Sequence, residues 1–291
     1  MDRGTSGWCD LHTHTTGSDG TLSPAGLVQY AREKGLRAIA ICDHDTVSGV
    51  RSLYQVPAGE DPEVLTPLLL DGVEVVPGVE MNCYLDGHEI HILGYYVPFG
   101  KGPFEALLQK MQVSRENRVL QTVSLLASMD LPVEVSRVME LSTGDSVGRP
   151  HVAQAMVERG YVASVKEAFE KYLGLGKPAY VERYHLSPEE AVEAISSAGG
   201  VAVWAHPGTS NCLHLLPNLV RKGLQGIEAF HPEHDSKMTD KCLDLASRYG
   251  LAVTGGSDFH GPGSGEGGDL GGTVVGYDVV KVLRKLALTK R

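Results

Sequence analysis

The sequence predicts an α/β fold: a TIM-like barrel of eight strands or fewer, interrupted by a mostly helical insertion. Three observations carry this expectation. Apolar strand-like runs alternate with helical segments, which implies a parallel sheet with helices packed against it. Nearly every run leads into histidines or carboxylates, and at least six such run-ends are spread along the chain. A barrel gathers functional groups in this way, whereas an open doubly wound sheet concentrates them at one switch point. No Gly-x-Gly-x-x-Gly turn follows the first strand to suggest such a crevice.

Taken in order, Trp8–Leu11 reads as a short buried strand and Thr15–Gly20 as a polar loop. Ser23-Pro24 then caps and starts a helix running to about Lys34, where Gly35 ends it. Ala38–Cys42 is a continuous apolar run, as expected of a strand covered on both faces, and it leads into Asp43-His44-Asp45. Val73–Val76 and Val79–Tyr84 are the next strand candidates, and Glu89–Val97 follows a turn at Asp86-Gly87.

From Phe104 the texture changes. Leu107, Met111, Val119, Val123, Leu126 and Ala127 recur at helical spacing among charged residues, so 104–180 is expected to be a helical cap. Residues 1–103 and 181–291 would then form the barrel. Ser187-Pro188-Glu189-Glu190 starts a helix to Ala198. Val201–Ala205, Gly226–Phe230 and Leu251–Thr254 are strands leading into His206-Pro207, His231-Pro232 and Gly255-Gly256-Ser257-Asp258-Phe259-His260. A helix spans Thr239–Tyr249. Gly261–Gly272 reads as a mobile glycine-rich loop, and Val279–Ala287 as the last helix.

Composition narrows the function. Hydrophobic residues make up 42% of the 291, enough for a sizeable core, and the formal charge is −10. That acidic balance argues against wrapping long nucleic acid, which requires a basic surface. Small phosphorylated substrates stay compatible with it, because bound cations would invert the local field. The first residues show no leader pattern, and no apolar run approaches a membrane span, so a soluble cytoplasmic chain is expected. The five cysteines are scattered without a Cys-x-x-Cys pair and read as buried thiols.

The twelve histidines are the unusual feature. His12 and His14 lie two apart on a strand and therefore point to one face. Asp19, His44, Glu80, His91, His206, Asp258 and His260 recur at later strand ends or their loops. Any one of them could be a surface pair, a capped turn or a satisfied core histidine. Together they are six histidines and three carboxylates, whose burial without compensation would be expensive. Metal cations are the simplest compensation, and nine ligands suit more than one ion. With nitrogen and oxygen donors Mn²⁺, Fe²⁺ and Zn²⁺ all fit.

In this order, Asp10-Leu11-His12-Thr13-His14, Ser18-Asp19-Gly20, Asp43-His44-Asp45, Gly78-Val79-Glu80, Ala205-His206-Pro207 and Ser257-Asp258-Phe259-His260 resemble the motifs of the PHP (polymerase and histidinol phosphatase) family. The resemblance implies a distorted seven-stranded (β/α) barrel holding two or three divalent ions, Mn²⁺ foremost. By that likeness His12, His14, Glu80 and Asp258 would hold a first metal. Glu80 would bridge to a second, completed by His91 and His206, and Asp19, His44 and His260 would hold a third.

Two stretches of the insertion, Gly148–Ala153 and Ala168–Val181, look like the family branch that hydrolyses nucleotide phosphates. Arg149 can grip a phosphate bidentately there, and Lys177 can act as a point charge. In relatives a histidine at the position of His234 faces the site, so His234 and Asp258 are candidates for proton transfer and His234 also for substrate contact. His88, His151, His185 and His214 carry no such claim.

The expected chemistry is in-line attack on phosphorus by a metal-bridging hydroxide, with Arg149 and the cations neutralising charge on the phosphoryl oxygens. Expected substrates are 3′,5′-nucleoside bisphosphates or mononucleotides, with the 5′ ends of short oligoribonucleotides left open. One alternative is a ribose cyclic phosphate or another phosphorylated sugar. The other is a non-catalytic, metal-stabilised binding module. No obligate protein partner is evident.

Overall fold

Seven strands wrap into a nearly closed barrel in the computed structural model, which describes residues 7–54, 63–100, 102–142, 146–182, 184, 186–264 and 267–290. They are β1 (Trp8–Thr13), β2 (Ala38–Ile41), β4 (Val73–Leu85), β5 (His88–Tyr95), β6 (Val201–Trp204), β7 (Gly226–Phe230) and β8 (Ala252–Gly255). Two short strands, β3 (Leu68–Leu70) and β9 (Val275–Gly276), add to β4 and β1 in antiparallel sense. The barrel approaches closure where Thr13 bridges Phe259 and the His14 amide donates to the Phe259 carbonyl at 2.8 Å.

The all-parallel expectation fails at one strand. β5 runs antiparallel to both β4 and β6, while the other barrel neighbours are parallel. Val73–Val76 and Val79–Tyr84 are one strand rather than two. Its turn to β5 is Asp86-Gly87, both at positive φ (49° and 88°), between the paired Leu85 and His88. Two left-handed residues match the twist of the flanking strands, which selects a tight hairpin over a crossover.

Helices cover the outside. In α1 (Pro24–Glu33) the Ser23 hydroxyl accepts from the Gly26 amide, and Gly35 takes φ 70° after the last turn. A four-residue α2 (Ser48–Arg51) follows β2. In α7 (Pro188–Ser197) Ser187 and Glu190 form a reciprocal capping box. A short α8 (Leu216–Lys222), absent from the sequence expectation, connects β6 to β7. The next helix, α9, begins at Ser236 rather than Thr239 and runs to Tyr249, because the Asp235 carboxylate caps the Met238 amide. The last, α10, spans Asp278–Leu288. Among the described residues no helix is long and apolar enough to cross a membrane.

Between β5 and α7 lie α3 (Pro103–Ser128), α4 (Val135–Leu141), α5 (Arg149–Glu158), α6 (Val165–Ala168) and a π-helical turn at Phe169–Leu173. Val119, Val123, Leu126, Val138, Val152 and Met156 form an apolar cluster of their own. The boundary at 104 is not sharp, since Phe104, Leu108 and Met111 of α3 pack into the barrel core. One helix thus belongs to two cores, and periodicity cannot reveal the change of partner.

The glycine-rich segment after β8 is tied down at several points. Gly268 donates to the Ser257 carbonyl at 2.7 Å, Leu270 is buried, and Gly271 donates to Asp10 Oδ2 at 2.9 Å. Closure also depends on Gly256, where an added Cβ would stand 2.4 Å from the backbone nitrogen of His12. Gly256→Ala is expected to cost about 2–3 kcal/mol through overpacking against β1, read as a lower melting temperature of metal-free protein.

Candidate metal centre

Barrel strands deliver side chains to one mouth, and here that mouth is lined with buried imidazoles and carboxylates. His12 and His14 come from β1 and the residue after it, and neither has measurable exposure. Glu80 lies within β4 and His91 within β5. His44, His206, Asp258 and His260 follow β2, β6 and β8, and Asp19 comes from the loop after β1. His206 and Asp258 have positive φ, 27° and 53°. Such backbone persists where surrounding structure over-determines it, and here it turns both side chains into the mouth.

Glu80 is the hub. Its Oε1 lies 2.8 Å from His91 Nδ1 and 3.1 Å from His206 Nε2. Its Oε2 lies 3.0 Å from His44 Nδ1, 3.3 Å from His14 Nε2 and 3.4 Å from His12 Nε2. Asp258 Oδ1 stands 3.0 Å from His14 Nε2 and 3.3 Å from His12 Nε2. On the other flank Asp19 lies 3.7 Å from His44 Nε2 and 3.5 Å from His260 Nε2.

Among the described residues, donor atoms within 4.8 Å of one another fall into four groups. Two hold the sets His12, His14, Glu80, Asp258 and Glu80, His91, His206. A third joins Asp19, His44 and His260, with His14 as an additional member. The fourth, His12 with Glu228 and His231, has no counterpart in the sequence expectation.

Two features show that this arrangement suits cations. Burial opposes ionisation of Glu80, yet His91, His12 and His44 hold its carboxyl well below the usual range. Asp258 is likewise held low, against its burial, by His12 and His260. Burial also pulls the His14 imidazole down, but Asp258 and Glu80 outweigh it and hold it up at about 10. The site is therefore anionic enough to retain protons wherever nothing else compensates it. Second, His12 Nε2, both His14 nitrogens, Asp19 Oδ1, Glu80 Oε2 and Asp258 Oδ1 are buried without a hydrogen-bond partner. Such orphaned buried atoms at one mouth are what bound metal would satisfy.

Around these donors lies a shell that sequence reasoning missed. Glu228 of β7, fully buried, sits 3.1 Å from His12 Nδ1 and accepts from the His206 amide at 2.8 Å. A carboxylate behind a ligating imidazole fixes its tautomer and raises its basicity. The available signal was a lone acid inside the apolar run Gly226–Phe230. Asp43 accepts from Thr15 N, Thr15 Oγ1 and Ser18 Oγ, which sets the loop carrying Asp19. Arg115 of α3 donates to Asp45 Oδ2 at 2.6 Å, and Asn82 links Asp45 to His44. Glu228→Gln should keep the fold and weaken metal binding about 10–100-fold, read by titration of metal-free protein with Mn²⁺.

The remaining candidates separate. Arg149, at the start of α5, donates to the Leu173 carbonyl at 3.1 Å, stands 3.7 Å from Glu89 and lies over the rings of Phe169 and Tyr180. It lines a cleft of about 440 Å³ with His91, His206, Phe169 and Tyr180. Lys177 is exposed and lies outside the lining of that cleft. His234 points elsewhere than expected: its Nδ1 bonds the Ala229 carbonyl at 3.0 Å, and its Nε2 accepts from the Gly208 amide at 3.1 Å. With both ring nitrogens engaged by backbone, it braces two loops. His231 instead approaches Asp258, at 3.7 Å. His185 lies outside the described residues.

The model of the PHP domain matches residues 10–183, which carry the first six of the nine expected ligands. The chain belongs to the PHP family. Several relatives cover most of its length. A 5′-3′ exoribonuclease Rnm of Escherichia coli is 34% identical over 87% of this chain and 85% of its own. A phosphoribosyl 1,2-cyclic phosphate 1,2-diphosphodiesterase of Eggerthella lenta is 33% identical, covering 87% and 94%. A 3′,5′-nucleoside bisphosphate phosphatase of Chromobacterium violaceum is 31% identical, covering 91% and 90%. Among solved structures, a Bifidobacterium adolescentis protein described as a metal-dependent phosphoesterase superposes with a TM-score of 0.83 at 28% identity over 96% of both chains. The PHP fold and its hydrolytic, metal-dependent chemistry therefore extend over this chain, including the helices between β5 and α7.

Proposed function

We propose that this PHP chain is a metal-dependent phosphoesterase acting on nucleotide phosphates, with 3′,5′-nucleoside bisphosphates or mononucleotides as substrates. The observation that carries the reading is the meeting of two features: orphaned buried donors at the barrel mouth, and an Arg149-lined cleft opening onto His91 and His206. In the proposed roles His12, His14, Glu80 and Asp258 hold one ion, Glu80, His91 and His206 a second, and Asp19, His44 and His260 a third, with Mn²⁺ the first choice and Fe²⁺ or Zn²⁺ the alternatives. When bound, such ions supply Lewis-acid stabilisation and lower the pKa of water.

The chain's own groups do the rest. Arg149 meets the substrate phosphate, and its planar guanidinium can pair with two oxygens at once. Phe169 and Tyr180 offer ring faces to a base. Asp258, beside both His12 and His14, orients the attacking water and accepts its proton. His231, whose Nδ1 accepts from the Glu233 amide, carries its proton on Nε2 toward Asp258 and so replaces His234 in our assignment. The helical region 104–180 serves as the cap that selects the substrate, since it provides Arg149, Phe169 and Tyr180.

A second reading, hydrolysis of a ribose cyclic phosphate, is supported by the likeness to the Eggerthella lenta enzyme. Phosphate release with Mn²⁺, Fe²⁺ or Zn²⁺ should be compared for adenosine 3′,5′-bisphosphate, AMP, a 5′-phosphorylated oligoribonucleotide and a phosphoribosyl cyclic phosphate. Release from the nucleotides at the higher kcat/KM supports the proposal. Preference for the cyclic ester favours the second reading. Release from none of them, in protein shown to contain metal, rejects both and leaves a binding module.

A further inference from the structure

His44 owes its direction partly to α3, a helix outside the barrel. The residue after it, Asp45, has a left-handed backbone at φ 55°, which a non-glycine residue keeps only where its surroundings impose it. Hydrogen bonds from two sides impose it here. Toward β4, the Asp45 amide donates to the Glu80 carbonyl at 2.9 Å, and the Asn82 amide donates to Asp45 Oδ1 at 2.9 Å. From α3, Arg115 Nε donates to Asp45 Oδ2 at 2.6 Å, and Gln112 Nε2 donates to the Asp45 carbonyl at 3.2 Å. With the loop held so, His44 Nδ1 faces Glu80 Oε2 and Asn82 Nδ2, both at 3.0 Å, and Nε2 is the nitrogen turned toward Asp19.

Arg115 is placed to hold structure rather than to meet a substrate. It stands outside the lining of the Arg149 cleft, and its pair with Asp45 is buried, with side-chain exposures of 13% and 3%. Its guanidinium also abuts the residue before Arg149: a Cβ at Gly148 would lie 3.3 Å from Arg115 Nη1. Burial works against the charge on Arg115, but Asp45 and then Asp19, which shares a donor group with His44, hold its pKa up. Removing the cation would leave the Asp45 carboxylate buried without its counter-charge, which favours a rearranged loop. The barrel itself backs other ligands, since Glu228 of β7 stands behind His12 and His206. His44 differs in drawing its support from α3.

We propose that Arg115 is a positioning residue for His44, and through it for the ion assigned to Asp19, His44 and His260. The helices between β5 and α7 then do more than form the Arg149 cleft: α3 sets the affinity of one ion, while the ions held around Glu80 by His12, His14, His91, His206 and Asp258 depend on the barrel. This rests on the three-ion reading above and deepens it.

The test titrates the metal-free chain with Mn²⁺ and reads free Mn²⁺ by electron paramagnetic resonance. Arg115→Gln should weaken one ion by about 10–100-fold and leave the others within about twofold. His260→Ala, which removes a proposed ligand of that ion, should weaken the same step of the titration, and adding Arg115→Gln to it should cost nothing further. Arg115→Lys keeps a cation opposite Asp45 and should restore most of the affinity. Gln112→Ala removes only the bond to the Asp45 carbonyl; it should weaken the same ion roughly threefold and replaces Arg115→Gln if that variant fails to fold. Wild-type affinity at every ion in the folded variant, or equal weakening of all ions, would overturn the positioning role while leaving the metal centre intact. Fewer than three bound ions in the wild-type chain would overturn the three-ion reading itself, a result that no variant enters.

Discussion

Glu80→Gln is expected to abolish turnover, lowering kcat/KM by about 10³–10⁴-fold, equivalent to roughly 4–5.5 kcal/mol of transition-state stabilisation. Both Glu80 oxygens face imidazoles, Oε1 those of His91 and His206 and Oε2 those of His44, His14 and His12. An amide keeps the shape but removes the charge and presents an NH₂ to one of these two sets of imidazoles. Metal content should fall together with activity, from two or three ions per chain toward one, measured by elemental analysis after dialysis. Full metal content with full activity would remove Glu80 from the centre. Because the side chain is fully buried among histidines, circular dichroism of the variant separates lost chemistry from lost fold.

Asp10→Ala should be the most damaging change that leaves every proposed ligand in place. The Asp10 carboxylate accepts from Ser257 N at 2.8 Å, Ser257 Oγ at 2.6 Å and Gly271 N at 2.9 Å, tying β1 to the segments that close the barrel. Asp10 is completely buried, so its removal leaves amide donors without water or partner. An expected loss of about 3–5 kcal/mol follows, which for a domain of this size lowers the melting temperature by roughly 6–15 °C. Asp10→Asn should lose only about 1–2 kcal/mol: the Ser257 hydroxyl can rotate to accept, and one buried amide stays opposed. A melting temperature within a degree of wild type for the alanine variant would show that Asp10 does not hold the barrel closed.

These two residues illustrate what can be read without coordinates. Glu80 was legible because it follows an apolar run and recurs with histidines at other run-ends, a pattern that buried ionisable groups rarely show without a shared purpose. Asp10 stood in the same motif as His12 and His14, but nothing local gave it a role. Its partners, Ser257 and Gly271, are more than two hundred residues away in sequence. Glu228 escaped for the same reason. It lies on a short strand, and only the packing of β6 and β7 against β1 brings it behind His12 and His206.

His234 shows the limit from the other side. Likeness to relatives suggested a group facing the site, yet the turn that carries it directs both ring nitrogens into backbone hydrogen bonds. The antiparallel β5 marks a similar limit. The Asp86-Gly87 turn was visible, but the return of the chain to β6 through more than a hundred residues was not.

By itself the sequence determined most of the element types and the recurrence of histidines and carboxylates beside strand-like runs in one ordered set of motifs. Period-two and helical patterning are local, and parallel strands send the residues at their C-terminal ends toward one mouth. Only the tertiary structure decided which imidazoles face each Glu80 oxygen and which carboxylate stands behind them. Those are distances between segments far apart in the chain. They are set by how the barrel closes, and no local pattern encodes them.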